Sequence, residues 1–164
     1  MLNALLERPV TKSSDFDFLT GIWRVRHRYL LKRLAECHDW IEFDGCCAAR
    51  KTLGGFGNMD ESEINLPGSP YRGMTVRTWD SETAKWSIYW LDSRRPGRLT
   101  PPVKGGFAKG IGTFFGDDKH GHRAIRVRFV WSRIAADAAR WEQAFSLDRG
   151  LSWETNWIMD FTRM

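Results

Sequence analysis

From Gly21 onward the chain alternates apolar and polar side chains with a period of two. Trp23, Val25, His27, Tyr29 and Leu31 share one parity, and Arg24, Arg26 and Arg28 share the other. That spacing sends the two sets to opposite faces of an extended strand, so it predicts a strand with one buried face. Runs of the same kind recur at about 40–53, 71–79, 85–92, 112–115, 125–132, 140–147 and 153–162, with shorter ones near 56–64 and 103–109. The segments between them carry turn chemistry, as in Asp80-Ser81-Glu82-Thr83-Ala84, Gly116-Asp117-Asp118-Lys119-His120-Gly121 and Asp148-Arg149-Gly150. About eight to ten consecutive strands on short turns predict an antiparallel, all-β, up-and-down meander. Closing such a meander into a barrel removes its exposed edges, and a two-sheet sandwich is the alternative.

The aromatic content supports strands and a large shared core. Nine Trp, ten Phe and three Tyr in 164 residues favour pleated surfaces and bury large areas. That length suits one domain spanning residues 1–164, and no linker or internal repeat divides it. Residues 3–7 and the Ser13, Ser14, Asp15, Asp17 cluster predict short helical turns, making 1–20 a helical lead-in to the barrel. The stretch 93–102 holds three prolines and predicts an irregular rim loop, either a gate over the mouth or a solvated connection.

Charge excludes some partners. The formal net charge is +5 and the pI about 9.4, yet 20 acidic residues are interspersed among 25 basic ones, which predicts a mixed solvated surface. Arg24, Arg26, Arg28, Arg126 and Arg128 alternate with aromatics onto opposite faces, whereas single-strand binding needs both exposed together, so no nucleic-acid partner is expected. Met1 to Val10 includes Glu7 and Arg8 without a sustained apolar run, and no later segment is long enough to span a bilayer. Cys37, Cys46 and Cys47 have no CxxC spacing and predict buried reduced thiols in a cytoplasmic protein.

The opening DFDFLTGIW at 15–23, the central WSIYWLD at 86–92, the GTFFGDD at 112–118 and the WEQAFSLDRGLSWETNW at 141–157 resemble a bacterial family of calycin-like barrels, related in shape to lipocalins and fatty-acid-binding proteins. The resemblance covers most of the chain and implies a fold without a reaction. It further implies that Arg163, near the end, packs over Trp23 of the first strand. An arginine stacked on an indole there would seal one end of the barrel, and the pocket would open at the other.

Parity puts Trp86, Ile88, Trp90 and Asp92 on one face of their strand. It groups Trp141, Gln143, Phe145 and Leu147 on a second, and Trp153, Thr155, Trp157, Met159 and Phe161 on the last. Facing inward, these line an apolar cavity with few polar groups, the usual form of a small-molecule site, or else they fill the barrel. The expected ligand-binding residues are Tyr29, Trp86, Trp90, Trp141, Gln143 and Trp157, around a small hydrophobic or aromatic molecule. His27 shares the inward parity, and Asp92 is the best inward carboxylate. As a pair they are the candidate catalytic acid and base of an isomerase, cyclase or hydrolase. His27 could alternatively ligate haem or be a satisfied core histidine. No nucleophile motif accompanies them and no cofactor is specified. Asp117, Asp118, His120 and His122 have metal-ligand chemistry but lie in a turn, so no metal site is expected. A homodimer is left open.

Overall fold

The structure, a computed structural model, describes residues 11–164. Among these, ten antiparallel strands close into a barrel: β1 (Gly21–Leu30), β2 (Trp40–Thr52), β3 (Gly57–Ile64), β4 (Tyr71–Asp80), β5 (Lys85–Asp92), β6 (Val103–Ala108), β7 (Ile111–His120), β8 (Arg123–Ser132), β9 (Ala138–Ser146) and β10 (Glu154–Arg163). Each strand pairs with its neighbours in sequence, and β1 pairs with β10 to close the ring, from Trp23 opposite Arg163 to Tyr29 opposite Trp157. The expected calycin-like, up-and-down barrel is therefore the fold. The helical lead-in is reduced among the described residues to one 3₁₀ turn over Asp17–Leu19; the turn expected at 3–7 lies outside them.

The two ends of the barrel differ. At the lower end the lead-in forms a plug. Phe16 and Leu19 are buried, and the Phe16 ring meets Trp86 edge-on at 4.9 Å, Phe107 at 5.0 Å and Trp131 at 6.2 Å. The Trp23 indole donates to the Leu19 carbonyl at 2.8 Å. Arg163 lies 4.1 Å above the Trp23 ring and donates to the carbonyls of Phe18, Thr20 and Ala136 at 2.8, 2.8 and 2.7 Å. Gly21 takes φ +126°, where its lack of a side chain leaves room for the guanidinium. The expected seal of Arg163 on Trp23 is present, and the opposite end is the open one.

Several local expectations are corrected. The run 116–120 belongs to β7, and the turn to β8 is a tight one at Gly121, with φ +63°. A register shift between Thr155 and Trp157 resets the parity of β10. It leaves Trp153 outside, tilted against Phe115 at 5.9 Å and under Arg128 at 4.5 Å. It also buries Asn156 in place of Thr155. β9 stops at Ser146, so Leu147 is exposed. Arg128 and Arg126 therefore share a small outer patch with aromatics, contrary to the strict segregation expected of them. Of the cysteines, only Cys47 is buried; Cys46 faces outward, as neighbours on a strand must alternate. No helix among the described residues is long and apolar enough to cross a membrane.

Candidate functional site

Above the plug the barrel encloses a cavity of about 120 Å³, which shares its upper walls with a vestibule of about 440 Å³ at the open end. The cavity has two unlike sides. One is aromatic: Trp90 from β5, Phe129 from β8, Trp141 and Phe145 from β9, and Trp157 from β10. Trp157 is the centre of this side. Its ring meets Trp141 at 5.5 Å, Trp90 at 6.1 Å and Tyr29 at 5.4 Å, all near perpendicular, an arrangement that rings with opposite edge and face potentials prefer.

The other side is polar and was not anticipated from the sequence. Cys47, Asp60, Ser62, Thr75 and Arg77 line it. Asp60 and Arg77 are each about 4% exposed and form an ion pair at 2.6 Å, with Arg77 also donating to Asn58 at 2.8 Å. Neighbouring strands place Asn58 opposite Arg77 and Asp60 opposite Thr75. The signal was available: Asn58, Asp60 and Ser62 share the parity of the buried Ile64, and Arg77 shares that of Tyr71. Partnering is what makes two charges tolerable in such an interior.

The predicted site residues separate into three groups. Trp90, Trp141, Gln143 and Trp157 come together around the cavity, with Tyr29 above them in the vestibule. Gln143 donates to Asn156 at 2.9 Å, which pairs the two amides in the wall. Trp86 faces inward but lies lower, within the plug, where its indole donates to the Lys12 carbonyl at 3.2 Å. The third group is the proposed catalytic pair, which the fold keeps apart. Asp92 sits at the mouth and accepts from Trp90 at 3.2 Å and from Arg94 at 2.9 and 3.0 Å. The Arg94 bonds hold its carboxyl below the usual range.

His27 is buried in the barrel wall. Its ring stacks on Phe43 at 4.7 Å, and Nδ1 accepts from the Trp157 indole at 3.1 Å. Nε2 points toward β2, where a Cβ on Gly45 would come within 2.9 Å of it. Burial lowers the imidazole pKa from 6.5 to about 4, so His27 is neutral at ordinary pH. Asp118 and His120 reach the vestibule while Asp117 faces outward and His122 is exposed. No group of three or more His, Cys, Asp or Glu among the described residues is placed to hold a metal.

The rim loop 93–102 folds back on β5. Thr100 accepts from the Trp90 amide through its hydroxyl at 3.2 Å and donates its own amide to the Trp90 carbonyl at 3.0 Å. Thr100 and Pro101 line the cavity, and Arg94, Arg95 and Arg98 line the vestibule. The loop is thus a wall of the site and more than a solvated connection. β5 and β6 pair only from Trp86 opposite Gly105 to Ile88 opposite Val103, so the loop covers the stretch where those strands separate.

A search of solved structures finds a similar barrel in an S-type phycobiliprotein lyase from Guillardia theta. The match has a TM-score of 0.60 and 12% identity, and covers 94% of this chain and 93% of that one. The likeness is one of fold. Neither a scan of protein-family models nor a search of curated proteins yields a match.

Proposed function

We propose that the protein binds a small, largely apolar and preferably aromatic molecule inside the barrel. The observation that carries this reading is the perpendicular packing of Trp90 and Trp141 on Trp157 around a cavity that shares its upper walls with the vestibule at the mouth. Indole faces and edges offer dispersion and quadrupole contacts to a flat ligand, and preformed clefts of this composition are the common form of ligand sites. Phe129 and Met159 complete the apolar wall. The polar side around Asp60, Ser62 and Thr75 supplies a few hydrogen-bonding groups to orient the guest.

A carrier or sensor fits the geometry better than an acid–base enzyme. His27 spends Nδ1 on Trp157 and aims Nε2 at the β2 backbone, while Asp92 is engaged by Arg94. The same orientation disfavours His27 as a haem ligand. The protein with the similar barrel is by name a phycobiliprotein lyase, which makes linear tetrapyrroles one class to include among trial ligands. Reduced cysteines fit an intracellular, cytoplasmic setting.

Native mass spectrometry with an ultraviolet–visible spectrum, on protein purified from its own host, tests the reading. A stoichiometric co-purifying molecule released on denaturation is the expected result. An apo mass, together with failure to bind any neutral aromatic probe, contradicts it.

A further inference from the structure

The cavity sets an apolar requirement on the ligand, and the mouth adds a charge. The connection between β1 and β2 folds over the open end and is pinned there through Leu34. The Leu34 amide donates to both carboxylate oxygens of Glu154, at 2.8 and 3.0 Å, and its carbonyl accepts from Arg123 at 3.0 Å. Leu34 and Glu36 take φ of 55° and 52°, a left-handed conformation that non-glycine residues keep only where their surroundings hold them.

The pinned loop turns Arg33 inward. Its guanidinium lies 4.4 Å from the Tyr29 ring, 5.5 Å from Phe145 and 5.8 Å from Trp157. Nε and Nη2 are buried and have no hydrogen-bond partner among the described residues. Burial draws the group's pKa below its ordinary value.

The nearby carboxylates are engaged elsewhere. Asp92 holds Arg94 at 2.9 Å and Asp118 lies 3.7 Å from Arg98, while Glu154 is spent on Leu34. Among the described residues, Arg33, Arg94, Arg95, Arg98 and Lys119 line the vestibule against the carboxylates of Asp92 and Asp118. A desolvated cation without a partner is unfavourable, and a guanidinium edge matches a carboxylate in geometry as well as charge.

Resting on the binding function proposed above, we infer that the ligand is an amphipathic acid: its apolar body enters the tryptophan cage and its carboxylate is received by Arg33 at the mouth. The site has the order such a molecule needs, with the cation directly above Trp157 and on the open side. Arg94 stacks on Tyr71 at 3.7 Å and completes a positively charged, aromatic rim.

Calorimetric titration with 2-naphthoate and its uncharged counterpart 2-naphthamide tests this. Wild-type protein is expected to bind naphthoate more tightly by about tenfold or more, the scale of a desolvated charge-assisted pair. Arg33→Met abolishes that preference by bringing naphthoate affinity down to that of naphthamide, and Arg33→Lys restores part of it. Equal wild-type affinity for the two probes, or an equal loss of both in Arg33→Met, overturns the inference while the cavity reading stands. If neither probe binds wild type, the cavity reading itself fails and this inference falls with it.

Discussion

The Trp157 indole donates its N–H to Nδ1 of His27 at 3.1 Å, across the seam where the last strand closes on the first. Because an indole nitrogen can only donate, Nδ1 is the unprotonated nitrogen and the neutral ring carries its proton on Nε2. One bond thus fixes the tautomer of a buried histidine and steadies the tryptophan at the centre of the cage. It also ties the cavity wall to barrel closure.

The pH dependence of stability follows from that burial. The folded protein keeps His27 neutral down to about pH 4, whereas the unfolded chain protonates the imidazole near 6.5. Between those values the unfolded state binds more protons, so stability present at neutral pH is lost as the pH falls from about 6.5 to about 4. The ceiling on this loss is about 3 kcal/mol. Urea melts of wild type and His27→Gln across that range are expected to converge toward acid pH. A constant difference between them would show that His27 is not held neutral.

Gly73 on β4 gives Trp90 its place. A Cβ there would overlap the Trp90 ring, so Gly73→Ala forces the indole away from Trp157. Affinity for a neutral aromatic probe is expected to fall by roughly tenfold, with a stability cost of about 1–3 kcal/mol for overpacking. Fluorescence titration and thermal melting measure the two effects. Unchanged affinity would remove Trp90 from the binding surface.

The lower seal predicts a stability effect separate from binding. Arg163→Met removes three hydrogen bonds to carbonyls and the contact with Trp23. A loss of about 2 kcal/mol, or roughly 4–8 °C in Tm, is expected. Arg163→Lys does not rescue it, since a point charge cannot serve three carbonyls in a planar fork. Probe affinity in Arg163→Met stays near wild type; a large loss would mean that the two ends are coupled.

Thiol labelling reads the strand parity of the cysteine pair. Burial pushes the Cys47 thiol up to about 12, so it stays protonated and unreactive at pH 8. Cys37 and Cys46 are only half-buried. Mass spectrometry after brief alkylation is expected to show modification at those two positions and none at Cys47 until the protein is unfolded. Early labelling of Cys47 would contradict its placement on the inner face.

Much of this architecture was legible in the sequence because strand alternation encodes which face is buried. Parity alone put Trp90, Trp141, Gln143 and Trp157 on inward faces, and the family resemblance paired Trp23 with Arg163, in keeping with the meeting of the chain ends in a closed barrel. Parity says nothing of height along the barrel axis, which is why Trp86 faces inward yet belongs to the plug. It also gives no distance across the barrel, so His27 and Asp92 could be paired on paper while one sits in the wall and the other at the rim. A single bulge between Thr155 and Trp157 was enough to misplace Trp153 and Thr155. Arg33 had no periodic signal at all, because a pinned loop places it.

The proposed function requires that the tryptophan-lined space be an open binding cavity. Its most direct test is fluorescence titration of N-phenyl-1-naphthylamine into wild type and into Val127→Phe, which fills the cavity from β8 while the strand pattern is kept. Saturable one-to-one binding to wild type, lost in a Val127→Phe variant that still melts cooperatively, is the predicted result. Equal binding to both, or to neither, would contradict it and leave the interior a packed core.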